Sequence, residues 1–201
     1  MSVSGENDHA AAHLRPADVA DAAAIADIYR PYVIRSMASF EEVPPVTDEI
    51  GRRMLAPPRL PWFVVSRADD VVGYSYASRH HERPGYRWSV NCAVYLAESE
   101  RGHGTGRALY ERLLPQLRSL GYVTAFAGIA LPNPPSVRLH KAVGFTQVGV
   151  LRSAGFKHGR WLDVGWWQRP LRDRPQSPRE PEAWSPDAPG SIAVRKPYGS
   201  T

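Results

Sequence analysis

The chain has 201 residues, 43% of them apolar, which fits one domain with a sizeable core and is short for two. Lysine and arginine exceed aspartate and glutamate by five, 25 against 20, and no basic run interleaved with aromatics appears; nucleic acid is therefore not an expected partner, and a small anionic ligand is. No stretch reaches the apolar length of a membrane span, the N-terminus lacks a secretory pattern, and the single cysteine, Cys92, rules out an intrachain disulfide, so a soluble cytoplasmic protein without a membrane partner is expected.

Residues 1–13 are polar and Ala-rich and are expected to be disordered. A short strand is predicted over 14–16 and a helix over 17–35, with Val19, Ala22, Ala23, Ala26 and Tyr29 on one face and Asp18 and Asp21 near its start. Pro44-Pro45 breaks the chain. Thr47 is placed to cap a second helix that ends before Pro57 and Pro58. Apolar runs over 62–66 and 71–78, joined by Arg67-Ala68-Asp69-Asp70, read as a hairpin, and 87–96 as a third strand. Leu109, Leu113, Leu117 and Leu120 mark one face of a helix from about 105, with Pro115 inside it as an expected kink. The run 123–130 is nearly all apolar and fits a strand buried on both faces. A short helix over 135–143 and two strands, 146–156 and 161–171, complete the pattern. From 172 onward proline recurs and apolar content falls, so a disordered tail is expected over 172–201. The domain is expected over 14–171, in the order β-α-α-β-β-β-α-β-α-β-β, a mixed sheet flanked by helices.

The chemistry concentrates where the strand ending at Leu96 meets the helix. Arg101-Gly102-His103-Gly104-Thr105-Gly106 lies at that helix start. Glycines let the backbone approach a ligand, and the free amides and dipole of a helix N-terminus attract an anion, here a pyrophosphate. Arg101 and Arg107 add positive charge. The loop lacks the Lys-Ser/Thr pair of a P-loop and the glycine spacing of a dinucleotide fingerprint; the bland alternative is a tight turn that holds nothing.

The loop resembles the arginine/glutamine-x-x-glycine-x-glycine/alanine signature of the Gcn5-related N-acetyltransferases, with Arg101, Gly104 and Gly106 at its defined positions. A second signature follows from Asn133 through Ser136 and His140 to Gly144-Phe145. Within that superfamily, residues 14–169 resemble the phosphinothricin N-acetyltransferases, through the runs 131–140, 151–159 and 161–169, Ser39-Phe40-Glu41, and Arg83-Pro84-Gly85-Tyr86-Arg87-Trp88. The resemblance implies an α/β acetyl-CoA-binding fold, a mixed and mostly antiparallel sheet with splayed central strands. It implies acetyl transfer from acetyl-CoA to the α-amino group of phosphinothricin or a similar small amino acid, in a homodimer and without a metal.

It also implies roles. Val94, Tyr95 and Leu96 would present backbone groups to the donor, and Arg101, Gly102, His103, Gly104, Thr105, Gly106, Asn133, Ser136 and His140 would complete its site. Phe40, Arg83, Tyr86, Ala93 and Lys157 would line the acceptor pocket, Lys157 reaching into the partner subunit's site. His140 stands where the superfamily often has a tyrosine that protonates the departing thiolate. Asn91 stands where this branch has a glutamate general base, and an amide cannot take a proton at neutral pH. Three readings stay open: His140 serves as base, directly or through water; Asn91 positions a water that another group deprotonates; or the chain is slow or inactive on the usual acceptor and binds acetyl-CoA with weak or no turnover. Ala93 likewise replaces a hydroxyl residue. Cys92 alternates away from Asn91 and reads as core. His80-His81-Glu82 is not a metal site, because adjacent side chains on an extended chain point apart.

Overall fold

The structure is a computed structural model and describes residues 11–186. Seven strands form one sheet: β1 (His13–Pro16), β2 (Trp62–Arg67), β3 (Asp70–Arg79), β4 (Ser89–Leu96), β5 (Thr124–Leu131), β6 (Thr146–Lys157) and β7 (Arg160–Pro170). The helices are α1 (Ala22–Ile34), α2 (Thr47–Leu55), α3 (Thr105–Ser119) and α4 (Pro134–Ala142). The order across the sheet is β1-β2-β3-β4-β5-β7-β6, and only β4 and β5 run parallel. The element order matches the sequence expectation.

Two tight turns fix the hairpins. Ala68 and Asp69 both take positive φ (45° and 72°), as do His158 and Gly159 (47° and 75°). Two consecutive positive φ angles match the twist of the flanking strands.

The centre of the sheet is buried on both faces. In β2, Phe63 and Val65 pack on the α3 side with Leu109, Leu113, Leu117 and Trp167, while Trp62 and Val64 join Ile25, Tyr29, Ile50 and Met54 beneath α1 and α2. Alternation along the strand sorts the residues between these two clusters. The four predicted leucines of α3 are all buried. Pro115 lies on the exposed side of α3, which runs on through it to Ser119.

Three local expectations need correction. The first helix is split: Asp18 caps a short 3-10 turn (Val19–Asp21) in a reciprocal capping box with Asp21, and α1 starts after it. Val19 and Ala23 are exposed, while Ala22, Ala26 and Tyr29 are buried as expected, together with Ile25, Ile28 and Val33. Asp21 is spent on Arg15, which grips it with two hydrogen bonds of 2.7 and 2.8 Å. Thr47 does not cap α2; it is the first helical residue, and Val46 precedes it without a side-chain bond.

The third correction concerns the chain after β7. Residues 172–186 run against the domain rather than away from it. The Glu182 amide donates to the Leu120 carbonyl at 2.8 Å, the Trp184 amide to Arg59 at 2.9 Å, and the Trp88 indole to the Arg179 carbonyl at 2.8 Å. Arg87 pairs with Glu180 at 3.0 Å. Trp184 is 3% exposed and enters the α3-side core edge-on to Phe63. A proline-rich composition lowers helix and strand content, but one large indole supplies enough apolar area to dock the segment. The expected disorder of 1–10 and 187–201 falls outside the described residues.

Candidate active site

The glycine loop ends in a left-handed residue. Gly104 (φ 82°) is the N-cap of α3, and Gly102 also takes positive φ (87°). The cap carbonyl accepts from the amides of Arg107 and Ala108, so the amides of Thr105 and Gly106 before them have no helical acceptor. A Cβ on Gly106 would lie 3.1 Å from Leu139 and 3.5 Å from Val94. The missing side chain is what lets α3 close on β4 and α4 here.

A buried carboxylate anchors this loop. Glu100, 6% exposed, accepts from Thr105 Oγ1 at 2.6 Å and from Arg67 Nε at 2.5 Å. Burial opposes its charge, but the bonds from Arg67 and Thr105 outweigh burial and hold its pKa below the usual range. The Thr105 hydroxyl is thus turned inward, and only its backbone is left for a ligand. Arg101 lies over the Tyr32 ring at 5.2 Å.

The sheet opens beside the loop. β4 and β5 pair at only three positions, ending at Asn91 opposite Phe126. β4 continues to Leu96 bound to β3, and β5 to Leu131 bound to β7. Neither strand can follow both neighbours, so the two diverge after Asn91. The Tyr32 hydroxyl donates to the Leu96 carbonyl at 2.7 Å and accepts from its amide at 3.3 Å. Leu96 therefore turns its backbone groups away from β3. Because such groups alternate along a regular ladder, those of Val94 and Cys92 also face the gap, while Tyr95 bonds into β3. Of the three residues expected to face the donor, Val94 faces the gap, Leu96 bonds to Tyr32, and Tyr95 bonds into β3 with its ring packed on Tyr29, Tyr32 and Tyr74.

At the mouth of the gap sits His80, the first residue after β3, where the chain bends into the β3–β4 loop. Its Nδ1 lies 2.9 Å from Asn91 Oδ1, and its ring stacks on Phe126 with centroids 4.2 Å apart. Trp166 meets it edge-on at 5.8 Å, as does Tyr86 at the same distance. Ala93, two residues beyond Asn91, shares its face.

His140 lies elsewhere. It is buried on α4, with Nε2 2.8 Å from the Tyr110 hydroxyl and Nδ1 2.8 Å from the Ser136 carbonyl. A carbonyl only accepts, so Nδ1 carries the hydrogen and Nε2 accepts from Tyr110. Tyr110 belongs to the α3-side core with Val90 and Cys92, whereas Asn91 points to the opposite face. His140 therefore offers no free lone pair toward Asn91, which weighs against the reading in which it serves as the base. Burial pushes its pKa down, and the Ser136 carbonyl offsets this only in part. The sign follows: a folded pKa below the unfolded one gives stability present above about pH 6.5 and lost as pH falls through the folded value. Thermal melts from pH 8 to 5 should show this loss, and His140→Gln, which keeps an acceptor for Tyr110, should flatten it.

Residues 14–166 match the acetyltransferase (GNAT) domain family. The chain belongs to that family. It is 41% identical over 167 residues to the phosphinothricin N-acetyltransferase of Streptomyces viridochromogenes, covering 83% of this chain and 91% of that one. It is 35% identical to the L-methionine sulfoximine/L-methionine sulfone acetyltransferase of Salmonella typhimurium over 164 residues, 79% and 94% of the two chains. The crystal structure of a GNAT phosphinothricin acetyltransferase from Sinorhizobium meliloti in complex with AcCoA superposes with a TM-score of 0.76 at 39% identity, covering 80% of this chain and 88% of that one.

The remaining expected site residues of this GNAT domain are placed unevenly. Asn133 caps α4 by accepting from the Ser136 amide at 3.2 Å, so its side chain shapes the helix. Phe40 packs on Gly155 of β6 so closely that any Cβ there would collide with its ring. Lys157 is 6% exposed, and its ammonium donates to the carbonyls of Ser39 at 2.5 Å and Glu41 at 3.1 Å. Burial lowers its pKa against the pull of Glu41 and Glu42. Lys157 thus fastens the segment bearing Phe40 within its own chain. Arg83 and Tyr86 border a cavity of about 230 Å³ with Arg79, His81 and Tyr122, and Tyr86 alone of the two also meets His80. His80, Tyr32, Glu100 and Arg67 were not expected in the site. The pair His80-His81 was visible and was weighed only as a metal site, which its spacing rejects, and nothing local links Arg67 to a carboxylate 33 positions away.

Proposed function

We propose that this GNAT domain transfers acetyl from acetyl-CoA to the α-amino group of phosphinothricin or a similar small amino acid, of the methionine sulfoximine or sulfone type. The attack is direct, within a ternary complex. The observation that carries this reading is the divergence of β4 and β5 after Asn91, with the Val94 amide facing the gap and the α3 N-terminus beside it. The similarity to phosphinothricin and methionine sulfoximine acetyltransferases supports the acceptor class.

The residues divide the work. The first-turn amides of α3, at Thr105 and Gly106, with Gly102, His103, Arg101 and Arg107, hold the pyrophosphate. The Val94 amide donates to the thioester oxygen and strengthens that bond as negative charge develops. Acetyl-CoA, when bound, supplies the activated acyl group. Arg83 and Tyr86 receive the acceptor's anionic groups, and Phe40 and Ala93 give it apolar walls. Asn91 hydrogen-bonds at the reaction centre. His140, with Asn133 and Ser136, shapes α4 where it borders the donor. No metal ion enters the scheme.

A homodimer is part of the proposal. Leu151, Phe156 and Trp161 on the edge hairpin are more than half exposed, and a long apolar edge strand favours a partner. Cytoplasmic placement also belongs to the proposal, resting on the free, buried Cys92 thiol.

Purified protein with acetyl-CoA should release free thiol and add one acetyl mass to phosphinothricin or methionine sulfoximine. Acetylation of a different amine would sink the acceptor class and keep the transferase. No turnover on any amine would sink the transferase.

A further inference from the structure

We infer that His80 is the catalytic base that takes the proton from the acceptor ammonium, with Asn91 as the residue that positions it. The inference rests on the proposed function and names the base that Asn91 itself cannot be.

The hydrogen bonds decide the tautomer without any choice of amide orientation. One end of the Asn91 amide lies 3.1 Å from the Arg79 carbonyl, which can only accept. That end is therefore Nδ2–H. The other end, Oδ1, faces His80 Nδ1 at 2.9 Å and can only accept in turn. His80 Nδ1 must carry a hydrogen, so the neutral ring keeps its lone pair on Nε2. Among the described residues no group hydrogen-bonds Nε2. A glutamate at 91 would itself be the base; an asparagine at 91 hands the lone pair to the far side of an imidazole.

The ring is also held in place. Phe126 stacks beneath it with planes 17° apart, and Trp166 meets its edge. Asn91 and Phe126 are the last paired residues before β4 and β5 part, so His80 is bonded to one side of the gap and stacked on the other. It is half-buried, open enough to meet an incoming amine. By contrast, His140 has both nitrogens engaged within the core.

The step balances. One N–H bond of the ammonium breaks, its electron pair stays on nitrogen, and the proton goes to His80 Nε2. The amine lone pair forms the C–N bond and the C–S bond breaks, with that pair leaving on sulfur. A second proton from the new amide nitrogen ends on sulfur, and His80 returns the first to water. The net products are the N-acetyl amino acid, the free thiol and one proton.

The test uses full-length protein with acetyl-CoA and whichever acceptor the wild type acetylates best. His80→Ala, and His80→Phe which keeps the stack on Phe126, should lower kcat about 100- to 1000-fold. The KM for acetyl-CoA should stay within about twofold, and added imidazole should restore part of the kcat of His80→Ala. Nitrogen-15 NMR of the imidazoles should show His80 as the Nδ1–H tautomer in the wild type and a loss of that preference in Asn91→Leu. Retention of a third or more of kcat by folded His80→Phe would overturn the inference, as would an Nε2–H tautomer in the wild type, and both leave the proposed function standing. A wild type that binds acetyl-CoA but acetylates nothing overturns the function and the base with it.

Discussion

Trp184→Ala should destabilise the protein by about 3–5 kcal/mol, the range for truncating a large buried aromatic. For a domain of this size that lowers the melting temperature by on the order of 10 °C. The residue lies beyond the 14–166 match to the GNAT family, yet its ring sits in the same core as Leu60, Phe63 and the leucines of α3. Removing it opens a cavity under β2 and frees the segment that bonds Arg59, Leu120 and Trp88. Among the described residues the indole N–H has no hydrogen-bond partner. Trp184→Phe should therefore cost much less, about 1 kcal/mol, because it keeps most of the apolar contact and removes an unsatisfied donor. Urea titrations of both variants, beside a chain cut after residue 172, provide the check. A truncated chain as stable as the full one would contradict the docking of 172–186.

Glu100→Ala should act on both stability and donor binding. It removes the carboxylate to which Arg67 and Thr105 both donate, and breaking a buried pair of this kind costs about 3 kcal/mol. Thr105 is the first residue of α3, so the turn that faces the donor loses its anchor. The KM for acetyl-CoA should rise by about tenfold or more, since small misplacements of binding groups are costly. The KM for the acceptor should change far less. Acid should act in the same direction. A folded pKa below the ordinary glutamate value gives stabilisation that is complete above about pH 4.3 and is lost as pH falls through the folded pKa. Glu100→Gln should lack that loss. Donor titrations and melts between pH 7 and 3 test both claims; an unchanged KM would place Glu100 outside the donor site.

Read as sequence, the chain yields its elements and their order because each carries a local signal. Leu109, Leu113, Leu117 and Leu120 repeat at helical spacing, Ala68-Asp69 and His158-Gly159 close their hairpins, and Gly104 ends a strand-to-helix loop. Those signals arise within a few residues, where chain geometry alone relates pattern to structure. Family membership was legible for the same reason: the two loop signatures are contiguous. What the sequence determined by itself was therefore the α/β class, the glycine loop at the start of α3 and the departure at Asn91. Only the tertiary structure decided what that departure means. His80 and Asn91 are brought together by the pairing of β3 with β4, Arg67 and Glu100 across the β2 side of the sheet, Lys157 with Ser39 across most of the chain, and Trp184 with Phe63 from outside the matched region. Hydrogen-bond direction and burial are properties of partners distant in sequence. No periodicity encodes them, and they are what carries the proposal of a base at the mouth of the gap.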